Sequence, residues 1–205
     1  MFAATFGSQT LPTVDNYGFA LVPKNAPTMA NVTPRGYVLS ISGISGFNVT
    51  SFDIGASYTK MAWVNYTNSA CGGNIMSTGT ANGRAIHYFW LSNGSWVGAG
   101  HSANGAVNAY VSDPTSITTN TWYHFAVTYN NSTNTMTLYR NGTQVATTTN
   151  AALAWSGGGG ALSIGLFQNG NGSIGYIDNA RVFSGALTSA QVQSIYNAES
   201  AGGNW

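Results

Sequence analysis

Thr121-Trp122-Tyr123-His124-Phe125-Ala126-Val127-Thr128-Tyr129, then Met136-Thr137-Leu138-Tyr139-Arg140, Asn141-Gly142 and Thr143-Gln144-Val145-Ala146, is the stretch that decides the fold class. Its arms are rich in β-branched and aromatic residues. Asn-Gly between two such arms marks a two-residue hairpin, because both turn positions require φ > 0. The same pattern runs outward. Ala85-Ile86-His87-Tyr88-Phe89-Trp90-Leu91 leads through Ser92-Asn93-Gly94-Ser95 into Trp96-Val97, and Met61-Ala62-Trp63-Val64-Asn65-Tyr66 follows a turn region at residues 55–58. Residues 106–111, 122–129, 161–167 and 173–183 read as further strands. Strands this short and this closely spaced predict an all-β chain of two packed antiparallel sheets.

One helix breaks the pattern near the end. Thr188-Ser189-Ala190-Gln191 is a capping box, Leu187 and Val192 stand where a hydrophobic staple would, and Val192, Ile195 and Tyr196 share one helical face. The 205 residues are read as a single domain, with 1–14 as an N-terminal arm and 199–205 as a C-terminal tail. The Gly157–Gly160 run reads as a connector between strands.

Composition narrows the function classes. Hydrophobic residues make up 43% and aromatics 13%, enough to build a core, but only 5% of residues are charged where about 25% is usual. The net charge of +1, without a basic run, lacks the footprint that nucleic-acid phosphates require. No stretch approaches the roughly 20 apolar residues of a membrane helix, so no membrane insertion is expected. MFAATFGSQT has neither a basic n-region nor an apolar h-region and does not read as a secretory signal. Cys71 is the sole cysteine, which excludes an internal disulfide. Sequons recur from Asn31 to Asn171, as an Asn/Ser/Thr-rich chain produces by chance. A nearly neutral surface repels its neighbours weakly and favours association, either as a homo-oligomer or within a protein lattice such as a capsid.

The motifs resemble a known family. Residues 121–129 with Leu138-Tyr139-Arg140-Asn141-Gly142 are similar to the W-Y-H-x-A-V-T-Y … L-Y-x-N-G core of laminin-G-like domains, members of the concanavalin A-like lectin/glucanase superfamily. Gly175-Tyr176-Ile177-Asp178-Asn179-Ala180-Arg181-Val182-Phe183 resembles the closing strand, and residues 185–192 the helix start. Residues 58–64 and 36–43 resemble two earlier strands, so the likeness spans roughly residues 15–197. It implies a jelly-roll sandwich of one convex and one concave sheet, with a short C-terminal helix, that binds glycans or proteins, often with calcium at the rim. Asn141 and Gln191 stand where the family carries acidic residues, and both changes weigh against calcium.

The chemistry-bearing residues point to recognition and not catalysis. Glycosidases use two carboxylates across the scissile bond. The five acidic residues here, Asp15, Asp53, Asp113, Asp178 and Glu199, are scattered, so no catalytic residue is assigned. The histidines have no zinc spacing, and His124 reads as a packed sheet residue. Sugar binding needs aromatic faces plus amides and hydroxyls. Trp90, Trp96, Tyr110, Trp155, Asn169 and Asn171 are the candidate ligand contacts. Tyr88 and Trp90 share one face of their strand, His87 and Phe89 the other; alternation alone does not say which is core. Asp53, Asp113 and Asp178 are the candidate calcium ligands, with Asp178 alternatively pairing with Arg181 or holding a turn. The expectation is a non-catalytic recognition domain with glycan-binding or adhesive capacity, displayed on a virion surface as a capsid decoration or fibre protein. The alternatives are a secreted or cell-surface bacterial carbohydrate-binding or adhesion module and, least favoured, a glycoside hydrolase.

Overall fold

In the computed structural model the described residues are 1–13, 15–17, 19–68, 72–81, 84–92, 96–103, 106–150, 159–166 and 174–201. The strands are β1 (Phe2–Ala4), β2 (Leu21–Lys24), β3 (Thr28–Val32), β4 (Gly36–Ser42), β5 (Gly46–Asp53), β6 (Tyr58–Asn68), β7 (Gly73–Asn74) and β8 (Met76–Ala81), then β9 (Arg84–Leu91), β10 (Val97–Ala103), β11 (Ala106–Ser112), β12 (Tyr123–Asn130), β13 (Thr135–Arg140), β14 (Thr143–Thr149), β15 (Gly159–Ile164) and β16 (Ile174–Phe183). One helix follows, α1 (Ser189–Ser200). Sheet I has the order β14-β13-β12-β6-β16-β4-β3, with β1 also on β16; sheet II has the order β11-β10-β9-β8-β15-β5-β2, with β7 also on β9. Every pairing is antiparallel. The result is the all-β jelly-roll sandwich expected from the sequence.

The core lies between the sheets. Tyr58, Ala62, Val64 and Tyr66 of β6 and Phe125, Val127 and Tyr129 of β12 meet Phe47, Val49, Phe89, Leu91, Leu162 and Ile164 of sheet II. Lys60 sits in this layer fully buried, its Nζ donating to the Met76 carbonyl at 3.3 Å beside the Tyr58 and Phe89 rings. Burial lowers its pKa well below the ordinary lysine value. The opposite face of sheet I is buried as well. Met61, Ala126 and Tyr139 pack under Val192, with Leu187, Ile195 and Phe183 around them. That double burial is why β6 does not alternate between apolar and polar.

The hairpin forms as its Asn-Gly predicts, with φ of 50° at Asn141 and 77° at Gly142. A β-carbon at Gly142 would also stand 2.9 Å from Tyr196 Cδ1 on α1, so glycine serves both the turn and the helix docking. The capping box is present: Gln191 N donates to Thr188 Oγ1 at 3.3 Å and Thr188 N donates to Gln191 Oε1 at 2.9 Å.

Both chain ends differ from the sequence reading. The expected arm carries β1, which pairs with residues 180–182, and Ala3, Ala4 and Phe6 are buried. Ala3 N donates to Asp15 Oδ2 at 3.0 Å, so a buried carboxylate ties this segment down. At the other end α1 runs to Ser200, and Glu199, expected in a tail, is 2% exposed inside the fold.

Candidate functional site

Two concentrations of polar and aromatic side chains stand out, and only one is open. The sealed one lies on the outer face of sheet I beneath α1. The strand register lines up Asp178, Trp63 and His124 across β16, β6 and β12. Asp178 Oδ2 meets Arg35 Nε at 2.6 Å, and Arg181 Nη2 meets Glu199 Oε1 at 2.8 Å. Trp63 Nε1 donates to Glu199 Oε2 at 2.6 Å. The Arg35 guanidinium lies 4.3 Å from the Trp63 ring centre, and Tyr196 stacks on Trp63 with ring centres 5.7 Å apart. Burial raises the carboxyl pKa of both Asp178 and Glu199, while Arg35 and Arg181 pull them back. This is a latch for the helix, closed to any ligand.

His124 sits in that layer fully buried, with Glu199 Oε2 4.0 Å from its Nε2 and no hydrogen-bond partner for either ring nitrogen among the described residues. Burial first, then the charges of Arg35 and Arg181, push its pKa down from 6.5 to about 3. The unfolded chain takes up this proton as pH falls through 6.5, whereas the folded chain does not. The stability it contributes is therefore whole above 6.5 and is lost as pH falls towards 3. Asp178 and Glu199 oppose this, because raised carboxyl pKa values favour the fold as pH falls. Between pH 7 and 4 the wild type should lose roughly 2–3 kcal/mol more stability than His124→Gln. Urea midpoints of both proteins at the two pH values check this; equal losses would show that His124 does not set the acid response.

The open site lies on the outer face of sheet II. Alternation along β9 sends Phe89 and Leu91 into the core and Tyr88 and Trp90 outward. The register then builds two rows. Tyr88 pairs with Gly100, which pairs with Tyr110; Trp90 pairs with Gly98, which pairs with Ser112. Trp90 is 44% exposed and Tyr110 58%, while Tyr88 is tucked beside Trp90 with ring centres 5.0 Å apart. A β-carbon at Gly98 would stand 3.5 Å from Trp90 Nε1 and 3.3 Å from the Val111 carbonyl oxygen, so the indole reaches over the bare backbone of β10 with its N–H edge at Gly98. Two exposed aromatic surfaces thus flank a glycine floor.

The rest of this face is knitted together. Ser77 Oγ donates to Asn74 Oδ1, and Asn74 Nδ2 donates to the carbonyls of Ser163 at 3.2 Å and Leu166 at 2.9 Å. Ser163 Oγ donates to Asn48 Oδ1 at 3.0 Å. Asn74, Ser77 and Ser163 are buried, so this middle part of the face is closed, whereas Trp90 and Tyr110 at its β9–β11 end are exposed.

Of the candidate ligand contacts, Trp90, Trp96 and Tyr110 gather at that end; Trp96 is half-buried two residues before Gly98, its carbonyl accepting from Ser92 N at 2.8 Å. Trp155, Asn169 and Asn171 lie outside the described residues. Sequence reading missed Gly98 and Gly100, although their every-other-residue spacing opposite Tyr88 and Trp90 was the available signal.

The candidate calcium ligands are not brought together. Asp178 is held by Arg35, not by the expected Arg181, which takes Glu199. Asp113 Oδ2 meets Arg140 Nε at 2.7 Å, and its Oδ1 accepts from Thr115 N at 2.8 Å. Asp53 Oδ1 accepts from Gly55 N at 2.8 Å in a surface turn. No group of three or more His, Cys, Asp or Glu that could hold a metal occurs among the described residues. The donor set does not fit an ion that wants six to eight oxygens.

Residues 42–193, most of the chain and all the strands from β5 to β16, match the family Laminin_G_3 of the concanavalin A-like lectin/glucanases superfamily. The chain belongs to this family. Among curated proteins none matches. Several solved structures share the fold of this laminin-G-like domain. Domain 4 of AbnA, an extracellular arabinanase from Geobacillus stearothermophilus, solved with arabinotriose, is 18% identical over 95% of this chain and 97% of its own, with a TM-score of 0.72. The binding domain of Paraclostridial Mosquitocidal Protein 1 is 15% identical over 97% of this chain, with a TM-score of 0.76; the laminin-G-like domain spans 52% of that chain. The CBM40 of the Ruminococcus gnavus IT-sialidase, bound to α2,3-sialyllactose, is 14% identical over 77% of this chain and 95% of its own, with a TM-score of 0.63.

Proposed function

We propose that this laminin-G-like domain is a non-catalytic glycan-recognition module whose contact surface is the Trp90–Tyr110 end of sheet II. The observation that carries the reading is the indole of Trp90, laid over Gly98 and still 44% exposed, with Tyr110 exposed two strands away. Aromatic faces held on strands stack on the C–H faces of sugars with little ordering cost, since the platform is already fixed. Sugar-binding relatives of the same fold, one solved with arabinotriose and one with sialyllactose, support it.

The disposition of the carboxylates supports the non-catalytic part. Asp113, Asp178 and Glu199 are each paired with an arginine, and Asp15 accepts from the backbone of Ala3, Tyr17 and Phe19. That leaves Asp53 without the second carboxylate that glycoside hydrolysis requires. Display on an assembled particle such as a virion, seated on a capsid lattice, is the setting we infer. Its support is the near-absence of free charge, which lets copies sit side by side without repulsion. The likeness of almost the whole chain to one domain of an extracellular arabinanase favours a second setting, a module of a secreted or cell-surface bacterial protein.

A glycan microarray probed with the purified protein, with and without chelator, is the test. Selective sugar signal, unchanged by chelation and without hydrolysis products, is the expected result. An array blank for every sugar, with a native mass showing a high oligomer, would overturn glycan recognition in favour of a purely structural role.

A further inference from the structure

We infer that the ligand of the Trp90–Tyr110 surface is an uncharged oligosaccharide of at least two linked units, held by stacking without any ionic contact. The inference rests on the glycan-recognition reading and narrows it to a chemical class.

Recognition of sialic or uronic acids uses charge-assisted bonds from arginine or lysine to a carboxylate. The chain has six such residues. Arg35, Arg140 and Arg181 are each within 2.8 Å of a carboxylate of the fold itself, and Lys60 is fully buried between the sheets. Lys24 and Arg84 remain. Lys24 is on β2, the far edge of sheet II, four strand steps from Trp90 and so roughly 19 Å away. Arg84 begins β9, four residues from Tyr88 in the Tyr110 row and six from Trp90, which is about 14 Å and about 20 Å along the strand. Neither position adjoins the aromatic platform. Ser112 is the polar side chain beside the glycine floor instead, and its hydroxyl pairs with sugar hydroxyls as readily as with water.

Length follows from the register. Trp90 and Tyr110 are two strands and one residue pair apart, so their Cα atoms are separated by roughly 12 Å. A single sugar ring does not span that interval, so engaging both rings takes a chain of linked units lying across β10. The glycines at 98 and 100 keep that path free of side chains.

The probes are neutral pentose and hexose oligosaccharides of one to six units, with α2,3-sialyllactose and oligogalacturonides as the anionic set, titrated at low and high salt. Neutral chains should bind, gain about tenfold or more in affinity between mono- and tetrasaccharide, and be indifferent to salt and to Arg84→Gln or Lys24→Gln. Trp90→Ala and Tyr110→Ala should each remove most of the gain with length. Preference for the anionic set, loss of binding at high salt or in either charge variant, or equal affinity for monosaccharide and tetrasaccharide would overturn this inference while leaving glycan recognition standing. Silence towards both sets would overturn glycan recognition itself.

Discussion

Glu199→Ala should cost about 3–5 kcal/mol of stability, the largest effect of any single substitution considered for this chain. The carboxylate ties three elements to one point: Arg181 of β16 at 2.8 Å, the Trp63 indole of β6 at 2.6 Å, and α1, on which it sits. Removing it takes the Glu199 carboxylate from the buried Arg181 guanidinium and the acceptor from the Trp63 indole N–H, and both penalties fall in a low-dielectric layer. In a chain of this size that lowers the melting temperature by roughly 6–15 °C. Because much of the cost is that of a buried charge that has lost its counter-charge, the pair Arg181→Met with Glu199→Leu should recover part of it. Urea denaturation of the three variants checks both parts. A loss below about 1 kcal/mol for Glu199→Ala would mean that the end of α1 is not docked as described.

Trp90→Ala should abolish most ligand binding and leave the fold nearly untouched. Half-exposed residues outside the core change stability by about 0.5 kcal/mol when truncated. A tryptophan that forms the centre of a contact surface costs 2 kcal/mol or more, about thirtyfold in affinity. Tyr110→Ala should follow with a smaller loss. Gly98→Leu should fill the floor between the rings and mimic Trp90→Ala without removing either aromatic, since a β-carbon there already touches Trp90 Nε1 at 3.5 Å and the rest of the leucine has to occupy the space above it. Titration with the sugars that score on the array checks these effects, with circular dichroism as the control for folding. Full affinity in Trp90→Ala would move the site elsewhere.

Local chemistry makes much of the fold legible in the sequence. The Asn141-Gly142 turn, the capping box at Thr188 and strands such as β6, β9, β12, β13 and β16 are set by residues within a few positions of one another. Thr28–Val32, Gly46–Asp53, Gly73–Asn74 and Met76–Ala81 went unread as well, and three further strands were hidden for a physical reason. Leu21-Val22-Pro23-Lys24 carries a proline and forms an edge, Phe2–Ala4 is three residues long, and Val97–Ala103 is a strand of glycine and alanine with low β-propensity. The last of these is the floor of the candidate site, so the feature that makes the site is what hid its strand.

The partners that give each charge its role were out of reach for sequence reading. Asp178 finds Arg35 from 143 positions away, and Glu199 finds Trp63 from 136. Local spacing offered Arg181 to Asp178 and left Glu199 in a tail. Alternation divided β9 into two faces without saying which was open. The answer came from its neighbour, because Phe89 pairs with Ala99, which pairs with Val111, all buried.

The central claim is that the Trp90–Tyr110 end of sheet II meets the sugar, and the indole N–H signals report on it directly. The chain has six tryptophans. Adding a neutral tetrasaccharide should shift the Trp90 indole resonance and leave Trp63, sealed under α1, unmoved. Shifts at Trp63 or Trp122 with Trp90 silent would place the ligand on sheet I and contradict the account.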